Sequence, residues 1–210
     1  VERSKLQVIP EGIDVHLYDP QVVKPLPDIY FYGKDKAMKE LDANYKPYTF
    51  LSVFKLEDRK GWKHMVKAFF EEFANQKDYR RVKLLVRTYI YNDPDAHNKD
   101  KIYNLFLNHA MKALNVTHFD FVPTMHIIAH HLPASRMPSL YKSANAFVLP
   151  THGEGWGLPT MEAMAMELPA ISTNWGGSTE FMTADNSLLL NVENLQDTPT
   201  SDPWLMGFKW

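Results

Sequence analysis

Cysteine is absent from the 210 residues, which excludes disulfides, thiolate metal sites and cysteine nucleophiles. That absence leaves the compartment open, with the cytoplasm as the default expectation. No run of roughly 18 apolar residues occurs, so the sequence offers no membrane-spanning helix. Neither sign of charge dominates: 23 Lys and Arg face 25 Asp and Glu, a formal net charge of −2. No global field therefore favours nucleic acid or an anionic membrane, and any anion site must be local. The opening residues Val1-Glu2-Arg3-Ser4-Lys5 do not resemble a signal peptide. With no initiator Met, the expectation is an excerpt from a longer polypeptide.

What is present is a regular alternation. Prolines 20, 25, 27 and 47 among charges mark residues 18–48 as a connecting segment, with at most a short helix around Lys36–Leu41. From Thr49 the pattern sharpens. A strand over Thr49–Phe54 precedes a helix whose stripe of Trp62, Met65, Val66, Phe69, Phe70 and Phe73 has helical spacing. A strand over Val82–Thr88 precedes a helix with Ile102, Leu105, Phe106, Ala110 and Ala113 on one face. A third strand is expected at Phe119–Val122, then a helix near Ser135–Lys142 and strands at Ala146–Leu149, Pro169–Thr173 and Ser187–Asn191. Such alternation implies an α/β fold, a Rossmann-like doubly wound parallel sheet with right-handed crossovers. Ligands of these sheets sit beyond the carboxyl ends of the strands. The loops 55–61, 150–158 and 174–178 all follow strands and should share that rim. Gly153, Gly155, Gly157, Gly176 and Gly177 cluster in or beside the last two.

The densest chemistry is in residues 150–162, Pro150-Thr151-His152-Gly153-Glu154-Gly155-Trp156-Gly157-Leu158-Pro159-Thr160-Met161-Glu162. A proline is tolerated at the start of a helix because its missing N–H would be unpaired there. The N–H groups of Leu158, Thr160 and Met161 are then expected to face the space before the helix, which suits a phosphate. Glu154 and Glu162 can flank that anion and accept hydrogen bonds from sugar or ribose hydroxyls. Their spacing alone says little, since 11 glutamates in 210 residues give about half such a pair by chance. The glycine–proline filling carries the signal.

This block resembles the E-x7-E signature of retaining glycosyltransferases of the GT-B fold, family 4, also called group 1. Val8-Ile9-Pro10-Glu11-Gly12-Ile13-Asp14 resembles the family's interdomain IPNGVD segment, and Phe50 through Trp62 resembles its SVGRLxxxKG loop. Leu132 through Tyr141 resembles the stretch before YxxAD, and Trp175 through Glu180 resembles GGxxE. The resemblance implies the C-terminal, donor-binding half of such an enzyme. Residues 1–48 would be the interdomain linker and connecting segment, 49–193 the nucleotide-sugar-binding domain, and 194–210 a truncated C-terminal segment. The acceptor would be bound by an N-terminal domain that is missing here.

By the same resemblance Lys55 and Lys60 would hold the donor's diphosphate, and Glu154 the sugar hydroxyls near the reacting carbon. Glu162 would bind the ribose, and the backbone of Gly155, Trp156 and Gly157 would face the sugar. Leu158 and Thr160 would meet the phosphates, and Leu132 would contact the base through its main chain. Lys55 and Phe54 stand where the family usually has Arg and Gly, which keeps the charge but loses the bidentate fork. The expected donor is a UDP-, GDP- or ADP-linked sugar, with no cofactor and no metal. Asp93-Pro94-Asp95 mimics a metal-binding DxD but reads as a polar turn. His126, His130 and His131 lack a companion that would complete a familiar zinc pattern. A catalytically silent nucleotide-sugar-binding or scaffolding module is the second reading. A dinucleotide-dependent oxidoreductase is disfavoured, because no G-x-G-x-x-G follows the first strand.

Overall fold

Six parallel strands set the architecture. The structure, a computed structural model, describes residues 7–27, 47–90, 93–198 and 207–210. The strands are β1 (Tyr48–Val53), β2 (Val82–Arg87), β3 (Thr124–Ile128), β4 (Ala146–Leu149), β5 (Ala170–Thr173) and β6 (Leu188–Leu190). Their spatial order is β3-β2-β1-β4-β5-β6. The order reverses between β1 and β4, so the carboxyl ends of those two strands open the crevice where such sheets take ligands. Register is tight on both sides of β1, which pairs Phe50 with Leu84 and with Ala146.

The helices are α1 (Trp62–Phe73), α2 (Lys99–Ala113), α3 (Met137–Lys142) and α4 (Leu158–Ala165). α1 forms as its stripe requires: Trp62, Met65, Val66, Phe69 and Phe70 are buried, and Phe73 packs against the same core. In α2 only Ile102, Phe106 and Ala110 are buried, whereas Leu105 and Ala113 face solvent. The apolar face there is narrower than the sequence suggests. Trp62 stacks on Phe106 at 5.1 Å and ties α1 to α2. α2 and α4 end with Asn115 and Glu167 at positive φ. Val116 N–H then returns to the Met111 carbonyl and Leu168 N–H to that of Ala163, closing both helix ends without glycine.

The third strand is not where the sequence puts it. Phe119–Val122 is irregular, and β3 begins at Thr124. The reason is Asn75: its Oδ1 accepts from the Asp120 and Phe121 N–H groups, and its own N–H donates to the Phe121 carbonyl. The backbone of 119–122 is therefore satisfied by a loop, while Phe119 packs on Phe70. The expected short helix around Lys36–Leu41 lies outside the described residues. The described part of the N-terminal segment folds onto α3, where the Leu26 N–H meets both the Ser139 carbonyl and the Ser143 hydroxyl. That docking brings Tyr18 against Tyr141, with ring centroids 6.2 Å apart.

Candidate functional site

Three loops at the carboxyl ends of β1, β4 and β5 meet around Glu154. The loop after β1 contains a 3₁₀ turn, Asp58–Lys60, and ends at Gly61 with φ +66°. A Cβ at Gly61 would lie 1.7 Å from the Pro150 carbonyl oxygen, so only glycine lets the two loops touch. The His152 N–H and the Thr151 hydroxyl both donate to the Arg59 carbonyl, at 2.8 and 3.1 Å. The Arg59 guanidinium returns a hydrogen bond to the Gly153 carbonyl. From the third loop, the Gly177 N–H donates to the Glu154 carbonyl at 3.0 Å. A Cβ on Gly177 would sit 1.8 Å from the Gly155 oxygen. The clustered glycines thus serve loop-on-loop packing at positions 61 and 177. Gly153 and Gly155 have open space where a side chain would project.

Lys60 and Glu154 form the centre. The Lys60 ammonium lies 2.7 Å from both carboxylate oxygens, and the two side chains are only 12% and 8% exposed. Arg59 stands 3.8 Å from the same carboxylate. Beside this pair a cavity of about 450 Å³ is lined by Lys55, Glu57, Arg59, Lys60, Arg87, Tyr89, Pro159 and Glu162 among others. Four cations therefore border it, and Lys55 is paired with Glu57 at 2.8 Å.

α4 supplies the far wall. Gly157 caps it at φ +93°, and Pro159 is its second residue rather than its first. The N–H groups of Thr160 and Met161 both donate to the Gly157 carbonyl, at 2.9 and 3.1 Å. The expectation that these two amides face an anion is thereby corrected: the first turn closes on itself, and Leu158 N–H is the first-turn amide left for a ligand. The Thr160 hydroxyl is fully buried and has no hydrogen-bond partner among the described residues. Glu162 accepts from the Tyr141 hydroxyl at 2.6 Å. Burial, reinforced by this carboxylate, raises the pKa of Tyr141 well above its ordinary value, and Tyr18 is raised for the same two reasons. The Tyr141 phenol stays protonated and donates to Glu162, which fixes the carboxylate's orientation.

Two other expected residues also have packed side chains. Trp156 rests on Phe181 at 5.6 Å, and its indole N–H points at the Met161 sulfur. The Leu132 side chain is buried in the hydrophobic core rather than on the cavity wall. Asp93 accepts from Lys101 at 2.7 Å and from the Asp95 N–H at 2.8 Å, so Asp93-Pro94-Asp95 is a polar turn with its own surface cation. No group of three His, Asp or Glu among the described residues stands close enough to share a metal ion. Sequence reasoning missed Arg59, Arg87, Tyr18 and Tyr141. Arg59 was in view, three residues from the expected helix start between two chosen lysines. Arg87, Tyr18 and Tyr141 reach the site through strand register and segment docking, which leave no local signature.

The sequence profile of the glycosyl transferases group 1 family matches residues 33–197. The chain belongs to that family. Sucrose-phosphate synthase 4 of Arabidopsis thaliana is 27% identical over 181 residues, 84% of this chain but 16% of the plant protein. The chain spans 11 to 16% of the length of the curated relatives it matches. The crystallised C-terminal domain of the Francisella tularensis group 1 protein LpcC superposes with a TM-score of 0.55 at 22% identity. That match covers 87% of this chain and 82% of LpcC's domain. The trehalose-6-phosphate protein of E. coli, bound with UDP-2-fluoro glucose, gives a TM-score of 0.60 at 16% identity, covering 86% of this chain and 39% of its own. These structural likenesses establish the GT-B C-terminal fold of the sheet. No described helix is long and apolar enough to cross a membrane.

Proposed function

We propose that this chain is the donor-binding half of a retaining glycosyltransferase that moves a sugar from a nucleoside diphosphate to an acceptor held by another part of the protein. The observation that carries the reading is the convergence of three rim loops on the Lys60–Glu154 pair, beside a cation-lined cavity within the size range of ligand sites. In this scheme Lys55, Arg59 and Lys60 neutralise the diphosphate, and no cofactor or metal is required. Glu154 accepts from the donor sugar's hydroxyls, and Glu162 accepts from the ribose through the oxygen that Tyr141 leaves open. As the glycosidic bond breaks, negative charge grows on the departing diphosphate, where preorganised cations are most effective. The acceptor hydroxyl attacks on the face the diphosphate vacates and passes its proton to the departing phosphate oxygen, so configuration is retained.

Lys60 cannot hold Glu154 and a phosphate at full strength together, so donor entry exchanges one partner for another. The base is UDP-, GDP- or ADP-type; the UDP-sugar analogue held by the E. coli neighbour makes UDP the first to test. A second reading, a catalytically silent binding module, draws on Phe54 and on the engagement of both members of the central pair. The deciding experiment assays sugar transfer from a panel of nucleotide sugars by the full polypeptide carrying this chain. Turnover abolished by Glu154→Gln supports the enzyme. Binding without turnover favours the silent module, and calorimetry showing no binding of UDP, GDP or ADP sinks both.

A further inference from the structure

Arg87 is the last residue of β2, and its backbone is pinned from both sides. The Phe54 N–H donates to its carbonyl at 3.1 Å, and the neighbouring Thr88 N–H donates to the Ile128 carbonyl at 3.1 Å. The side chain lies partly buried on the cavity wall, with its guanidinium over the Tyr89 ring at 5.6 Å. The other cations of that wall are engaged: Lys55 with Glu57, Lys60 with Glu154, and Arg59 with the Gly153 carbonyl and both of those carboxylates. Arg87 is different. Among the described residues no carboxylate pairs with it; Glu162, on the same wall, is held by Tyr141. Burial lowers its pKa, and only the tyrosines Tyr89 and Tyr141 act in the opposite direction.

A cation withdrawn from water without a counter-ion destabilises the fold, so its place at a cavity calls for an anion that arrives from outside. The planar fork of a guanidinium suits a tetrahedral phosphate, which it can grip through two parallel N–H bonds. Lys55 and Lys60 offer point charges, and the Arg59 fork is committed to Gly153. We propose that Arg87 is a phosphate-binding residue of this cavity, supplying the bidentate grip on the donor's diphosphate. This inference rests on the donor reading above for the identity of the phosphate, but not for the existence of the anion site.

The test measures calorimetric affinity of the full polypeptide and its Arg87→Met and Arg87→Lys variants for three probes: inorganic pyrophosphate, UDP and uridine. Arg87→Met should weaken pyrophosphate and UDP by about 10- to 100-fold, the range for loss of a charge-assisted hydrogen-bonded contact. Arg87→Lys should fall between, and uridine should bind all three proteins alike. Because no carboxylate among the described residues pairs with the ligand-free cation, unliganded Arg87→Met should melt no lower than the wild type. Unchanged pyrophosphate affinity, equal losses for uridine and UDP, or a sharp drop in the unliganded melting temperature would each overturn the proposal. Arg87-dependent binding of pyrophosphate with no binding of UDP, GDP or ADP would uphold the anion site and sink the donor reading. Failure of the wild type to bind any probe would remove both.

Discussion

Replacing Lys60 by Met should cost the protein stability as well as any ligand, and the size of that loss follows from Glu154. With its side chain 8% exposed, the carboxylate takes both short contacts from Lys60 and a longer one, 3.8 Å, from Arg59. Removing one member of a buried ion pair costs about 3–5 kcal/mol, because the other charge stays behind in a poor solvent. Arg59 remains to share the load, but its side chain is about a third exposed and solvent weakens its help. A net loss of about 2–3 kcal/mol results, which for a domain of this size lowers the melting temperature by roughly 4–12 °C. Adding Glu154→Leu removes the stranded charge, so the double variant should recover to within about 1 kcal/mol of wild type. The double-mutant cycle then reads a coupling of about 2 kcal/mol, measured by urea denaturation of wild type, both single variants and the double. A Lys60→Met variant melting within 1 °C of wild type would refute the argument, as would a double variant no better than the single.

Gly61→Ala forces a left-handed residue and a Cβ 1.7 Å from the Pro150 oxygen, so it should destabilise by about 3 kcal/mol or more and weaken donor binding by parting the loops. Gly153→Ala, with open space around it, is the comparator and should change stability by no more than about 0.5 kcal/mol in the same denaturation assay. Acid should weaken the fold through its histidines. Partial burial depresses the pKa of His109 and His152 below the ordinary imidazole value of 6.5. Below that value the unfolded chain binds protons that the folded one refuses, so stability present at pH 7 declines as pH falls toward 5. Replacing both by Gln should flatten the melting temperature's slope over that window, and an unchanged slope would contradict the burial argument.

How far these features are legible in sequence depends on the range of the interactions that make them. The α1 stripe from Trp62 to Phe70 is readable because burial repeats with the helical period. The shared rim of the loops after β1, β4 and β5 is readable because alternating strands and helices imply a parallel sheet whose ligand loops lie at the carboxyl ends. β3 was misplaced because Phe119–Val122 has strand-like residues, yet Asn75, far off in sequence, takes its N–H groups. Lys55, Lys60 and Glu162 do line one cavity. What the local pattern did not give was the pairing of Lys60 with Glu154, since loops 94 residues apart meet only after the sheet forms. The same holds for Tyr141 on Glu162, for Tyr18 against Tyr141, and for Arg87, which strand register brings to the wall. The first turn of α4 differs for another reason: the Gly157 carbonyl accepts from both Thr160 and Met161, the i→i−3 and i→i−4 bonds of a helix start.

The Lys60–Glu154 contact also bears on how a used donor would leave. On the donor reading, the intact molecule compensates both members of the pair, with phosphate oxygens for the lysine and sugar hydroxyls for the carboxylate. Once the sugar has been transferred, the remaining nucleoside diphosphate still satisfies Lys60 but leaves Glu154 with nothing to accept from. Re-forming the 2.7 Å contacts then becomes the competing outcome. The pair acts as a built-in ejector, one that tolerates the substrate and works against its spent form.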